Sequence, residues 1–240
     1  MLTPPESQAS SLLARVSGVL WAPRTTFEAL SRAPRVLGVV TLTLFVTIGC
    51  SAIVLETDVG QLALLDRWDR MASALGQAVD SELYQGMLEA SRHGVAYAAV
   101  MAVVTGPLLT VGLSVLLFAA FRAPAQSTVR YRQVLAVVGH AGVILALRQV
   151  VSAPLTYVRE TLSSPLTIGA FFPMLDEASA AARVFAAIDV FVIWWIVVLA
   201  VGMSVLYRRP TRRVAYLLVG AYVTLSIAVA MLTMVVGGTA

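Results

Sequence analysis

The chain has 240 residues, of which 59% are hydrophobic and 12% charged, and its mean hydropathy is +0.85. Soluble domains carry about 25% charged residues, so this composition excludes a water-soluble globule and points to a chain that crosses the bilayer several times. All seventeen basic residues are arginine, and without lysine there is no phosphate-gripping P-loop, no Schiff base and no pyridoxal phosphate attachment.

Residues 1–11 (MLTPPESQASS) are polar and rich in Pro and Ser, the composition of a disordered tail. Across 12–33, Leu12, Leu13, Val16, Val19 and Leu20 recur at helical spacing until Pro23 interrupts them. Thr25 or Thr26 can cap a second short helix carrying Phe27 and Leu30, which stops before Pro34. Both pieces read as amphipathic helices lying on the membrane, with Arg15 and Trp21 as interfacial groups. A charged, then apolar, then small-residue order is missing, so no signal peptide is expected.

A first span is expected at about 36–55. It contains the single cysteine, Cys50, which excludes an internal disulfide and reads as a buried structural thiol. Between 60 and 90, Leu62, Leu65, Trp68, Met71, Leu75, Val79, Leu83 and Met87 repeat every three or four residues. That spacing predicts an amphipathic helix or helical hairpin on the bilayer or capping the bundle, with a partner-binding arm as the alternative. A second span follows at 95–121, with Gly106-Pro107 as a kink point.

The third span, 134–157, presents a narrow strip of small residues, Ala136, Gly139, Gly142 and Ala146, that lets another helix approach closely. An amphipathic stretch from Met174 to Ala182 leads into a fourth span at 184–207, and a fifth runs over 214–236. The expected architecture is an all-α polytopic membrane helix bundle. One domain, 12–240, holds five transmembrane helices and the interfacial amphipathic helices.

Arginine placement sets an orientation. The segments Arg15–Arg35, Arg122–Arg132 and Arg208–Arg213 together hold eleven arginines on one side, while Arg67, Arg70, Arg92, Arg159 and Arg183 make five on the other. Basic residues near span ends stay cytoplasmic, so the N-terminus is expected in the cytoplasm and the C-terminus on the opposite side. Topology and anionic lipid also account for the pI of about 9.6. No basic patch interleaved with aromatics is present, and nucleic acid is not an expected partner.

Three ionisable residues fall inside spans, His140, Arg148 and Asp189, and such residues are suspected of function because their burial in lipid is costly. Arg148 lies about nine residues from the outer end of its span and Asp189 about five, a depth difference of roughly 6 Å that an arginine side chain covers. The two are therefore expected to pair across the third and fourth spans as an internal tie, with a proton or ion path, or separate partners, as the alternatives. His140 is expected to bond to a neighbouring helix, with a titrating switch as the alternative. No second histidine at ligand spacing and no cysteine pair accompany it, so neither a metal nor another cofactor is expected.

The usual catalytic patterns are missing too: Gly-x-Ser-x-Gly, His-Glu-x-x-His and Gly-x-Gly-x-x-Gly do not occur. Asp66, Asp69, Asp80, Glu82 and Glu89 read as the wet face of an amphipathic helix. No catalytic residue is expected.

Three stretches carry a family likeness. VLWAPRTTFEALSRAPR places Pro23 and Phe27 ahead of Pro34; YRQVLAVVGHAGVILALRQVVSAPL holds Gly139-His140-Ala141 and a late Pro154; IDVFVIWWIVVLAVGMSVLY holds Asp189, Phe191, Trp194 and Gly202. Over about 14–236 the chain resembles the Yip family of integral membrane proteins, named for Ypt/Rab-interacting proteins, in its prokaryotic branch. The resemblance implies a five-span all-helical domain and a multi-pass protein of the bacterial inner membrane. Eukaryotic members are associated with vesicle traffic, Rab GTPases and membrane shaping. Here the arginine-only basic charge and the lack of an acidic cytoplasmic tail argue against a Rab-type GTPase as partner.

The expected function is that of a non-catalytic scaffold or interaction subunit, or a membrane-organising factor, whose partners are the lipid bilayer and other membrane proteins or further copies of itself. The alternative is a transporter or channel-like protein with His140, Arg148 and Asp189 along a polar path.

Overall fold

The computed structural model describes residues 11–74, 76–125, 128–160, 162, 164–172, 174 and 180–237. The expected tail thus lies outside the described residues except for Ser11, as does most of the expected amphipathic stretch from Met174.

The chain opens with two short helices, α1 (Leu12–Trp21) and α2 (Pro23–Arg32). Ser11 starts the first, its Oγ accepting from the Ala14 N–H at 3.2 Å, and Pro23 starts the second, where a missing N–H costs nothing. The two pack so tightly that a β-carbon on Gly18 would collide with Thr26 Oγ1. They do not rest on lipid alone, because Val19, Phe27 and Leu30 are buried against the end of the bundle.

Next come α3 (Leu37–Leu55), α4 (Asp58–Ala74), α5 (Ser81–Ser91) and α6 (Gly94–Ala125). The segment expected as one amphipathic helix or a hairpin is the pair α4 and α5, and the turn between them holds Gly76 at φ +72°, a conformation that a side chain disfavours. The third span is split into α7 (Tyr131–Ala141) and α8 (Val143–Arg159) at Gly142, and α8 passes through Pro154. After a loop and the 3₁₀ turn Ile168–Phe171 come α9 (Ala180–Ala187), α10 (Val190–Tyr207) and α11 (Thr211–Gly237).

Five stretches are long and apolar enough to cross a membrane: Leu37–Leu55, Gly94–Arg122, Tyr131–Arg159, Val190–Tyr207 and Thr211–Val229. Burial sorts them, since 56% of the third and 50% of the fourth lie inside the protein against 11% of each of the others. α7–α8 and α10 therefore form the centre, and α3, α6 and α11 the flanks. The core joins Phe27, Val39, Val137, Ile144, Leu199 and Met203 from five helices. Along the strip of small residues, the place a β-carbon would take on Gly139 is 3.5–3.7 Å from Val36, Val39 and Val40, so α3 fills the space that the missing side chain leaves.

The fourth span departs from the expected 184–207. The helix stops at Ala187 and restarts at Val190, because the backbone around Asp189 pairs with the preceding loop instead: Ile168 N–H donates to Ile188 O at 2.8 Å and Val190 N–H to Leu166 O at 3.1 Å. Asp189 consequently stands at the mouth of the span and not inside it.

Candidate functional site

Asp189 begins α10 because a short carboxylate in extended conformation can satisfy the bare N–H groups of a helix start. Its Oδ1 accepts from Phe191 N–H at 2.9 Å and Val192 N–H at 3.3 Å. Oδ2 accepts from Arg148 Nε at 2.8 Å and from the Ser164 hydroxyl at 2.8 Å. Arg148 reaches up from α8, and its Nη2 also donates to Ser164 Oγ at 2.9 Å. A fifth group closes the junction from α11: Tyr222 OH accepts from the Asp189 N–H at 3.1 Å and donates to Ala187 O at 3.2 Å.

Three segments thus converge on one carboxylate, α8, the loop at Ser164 and α10, while α11 holds the backbone of the same residue. The structure brings Arg148 and Asp189 together, with the aspartate side chain 7% exposed and the arginine 25%. Burying either charge alone would cost several kcal/mol, and pairing with additional hydrogen bonds offsets much of that. The serine is no free nucleophile, since its proton goes to the carboxylate while its oxygen accepts from the guanidinium.

His140 is elsewhere. It is completely buried in α7, with Nδ1 2.9 Å from Ala136 O one turn back in the same helix, so it does not bond to a neighbouring helix as expected. Its Nε2 meets no partner among the described residues. Nor do three His, Cys, Asp or Glu side chains gather anywhere among those residues as metal ligands would.

The other marked residues lie at packing contacts or helix ends. Phe27 lies against Gly202, where a β-carbon would be 3.2 Å from the ring and would collide with Val137 Cγ1. Pro23 opens α2 and Pro34 follows it; Gly139 and Ala141 are on the buried face of α7. The Phe191 and Trp194 rings meet at a tilt of 54° with centroids 5.7 Å apart.

The sequence itself matches the Yip1 domain family over residues 17–234. The chain belongs to the Yip1 domain family. No curated protein and no solved structure gives a significant match. The Yip1 match starts within α1 and ends within α11, so it takes in the end helices as well as the five spans and makes the chain a multi-pass membrane protein.

Sequence reasoning did not single out Ser164 or Tyr222 in this Yip1 domain. Ser164 sits in a turn-rich loop where hydroxyls are ordinary, and a tyrosine in a span reads as an apolar ring. Also missed was a cavity of about 820 Å³ bordered by α3, α4, α6 and α8, with Arg67, Arg70 and Arg148 among its lining. Cys50, expected to be buried, is half-exposed on the wall of that cavity. The signal existed, because α4 carries both arginines on an otherwise amphipathic helix, but only the fold puts them on the wall of one cavity with Arg148.

Proposed function

We propose that this Yip1 domain, residues 12–240, is a non-catalytic scaffold or interaction subunit of the bacterial inner membrane, with its N-terminus cytoplasmic and its C-terminus on the opposite side. The observation that carries the reading is the Arg148–Asp189 junction. Both carboxylate oxygens are engaged by fixed donors and the pair ties three segments, which suits cohesion and leaves the aspartate poorly placed to pass a proton or an ion. His140 supports the same reading, since it neither joins the junction nor lines the cavity beside Arg148. Partners would be other membrane proteins or a second copy, seated on flanking spans such as α11, whose Tyr216, Leu217, Leu225 and Val229 are exposed. The arginine-only basic charge argues against a Rab-type GTPase among them.

The test is purification from the native membrane in mild detergent after cross-linking. Defined companions or a homo-oligomer are expected, and a consistent lone monomer would overturn the proposal. The cavity beside Arg148 favours a second reading as a transporter. Solute flux in liposomes that Asp189→Asn abolishes while the protein stays folded would favour that reading over the scaffold.

A further inference from the structure

The cavity of about 820 Å³ lies beneath α4, between the ends of α3, α6 and α8, on the side of the bundle opposite α1 and α2. Its volume falls within the range of ligand sites. Its chemistry is one-sided: among the described residues three arginines line it and no carboxylate does. Arg148 is held by Asp189 and Arg70 by Asp66, one turn away on α4. Arg67 makes no ion pair among the described residues. One cationic fork therefore remains uncompensated above a partly exposed second one, an arrangement that suits a phosphate oxyanion.

The cavity also has an apolar exit. Trp68 and Tyr97 meet edge to face with centroids 5.3 Å apart on its wall, and Tyr97 and Met101 begin an exposed stripe on α6. Val104, Leu108, Val111 and Val115 continue that stripe at three- and four-residue spacing, all exposed. From Tyr97 to Val111 it runs ~21 Å down the span at 1.5 Å per residue.

We infer that this cavity is a binding site for an anionic phospholipid, whose phosphate sits between Arg67, Arg70 and Arg148 and whose acyl chain follows the α6 stripe. The basic pocket supplies affinity for the phosphate, and the stripe distinguishes a lipid from a free anion. The site does not depend on the scaffold reading, because lipid binding by the isolated chain is measured without any partner protein.

The experiment is native mass spectrometry of the detergent-solubilised full chain, titrated separately with phosphatidylglycerol, phosphatidylcholine and inorganic phosphate. Phosphatidylglycerol is expected to bind at least about tenfold more tightly than either of the others. Arg67→Gln with Arg70→Gln is expected to remove about tenfold of that affinity, Arg67→Lys to keep most of it, and Arg24→Gln, at the other end of the bundle, to change nothing. If the double variant does not fold, Arg67→Gln alone serves, because Arg67 holds no ion pair among the described residues. Equal retention of phosphatidylcholine, saturation by inorganic phosphate alone, or an arginine variant that folds and still binds phosphatidylglycerol normally would each overturn the site.

Discussion

Gly202 of α10 offers a bare α-carbon to the ring of Phe27, which is completely buried as α2 docks against the bundle. A β-carbon at this position would stand 3.2 Å from Phe27 Cδ2 and collide with Val137 Cγ1. Gly202→Ala should therefore overpack the site and lower stability by about 1–3 kcal/mol. Val137→Ala in the same chain removes the colliding methyl, so the pair should be less destabilised than the sum of the single changes. Denaturant unfolding in detergent micelles measures all three, and strict additivity would mean that this contact does not limit the packing.

Asp189 does two jobs that substitution can separate. Asn keeps a side-chain oxygen for the Phe191 and Val192 N–H groups but loses the charge facing Arg148, whereas Ala loses both. Because Arg148 is 25% exposed, the full cost of breaking a buried pair is reduced by solvent, and Asp189→Asn should cost about 1–3 kcal/mol. Asp189→Ala should cost a further 0.5–2 kcal/mol or about that for the lost cap. Combining Asp189→Asn with Arg148→Gln should recover part of the loss, as neither charge is then stranded. The readout is again the unfolding midpoint, and equal effects of Asn and Ala would show that the cap contributes nothing.

Tyr222 holds two backbone groups at the α9–α10 break with one hydroxyl. Tyr222→Phe leaves the ring in place and takes both partners away, so it should destabilise by about 1–3 kcal/mol. Amide hydrogen exchange should quicken at Asp189 while the middle of α10 stays protected. Unchanged exchange at Asp189 would mean that the hydroxyl is not what closes the junction.

The five spans were legible because about twenty consecutive apolar residues admit few alternatives in a bilayer. The meeting of Arg148 and Asp189 was legible for a related reason, since two charges at similar depth have few partners besides each other. The break at Asp189 was not. Its surroundings, RVFAAIDVFVIWW, are apolar on both sides, and only the bridge from Leu166 and Ile168 decides that 188–190 leaves the helix. The same holds for the cavity, because Arg67 and Arg148 line it from α4 and α8, helices far apart in the chain, and no periodicity records that.

His140 gives up little by leaving. It has one hydrogen bond, to a carbonyl of its own helix, and its other ring nitrogen is buried without a partner among the described residues. His140→Leu keeps most of the volume and removes an unsatisfied polar atom together with the bond, so stability should stay within about 1 kcal/mol of the parent. His140→Ala opens a cavity in the same place and should cost about 2–5 kcal/mol. If Leu proves as damaging as Ala, the imidazole nitrogen meets a partner such as ordered water, and the residue matters for its polarity.

The proposed orientation rests on where the arginines lie, eleven on the side of α1, α2 and the α10–α11 turn against five on the other. Basic groups beside short loops resist transfer across the membrane, whereas carboxylates contribute little. The lone native thiol makes this easy to test in a Cys50→Ala background. Ser17→Cys places an exposed thiol on α1, and Ser81→Cys places one at the start of α5, with the single span α3 between the two ends. A membrane-impermeant maleimide should label Ser81→Cys in intact cells and Ser17→Cys only after lysis. The reverse pattern would invert the topology, and labelling of both in intact cells would mean that α3 does not cross.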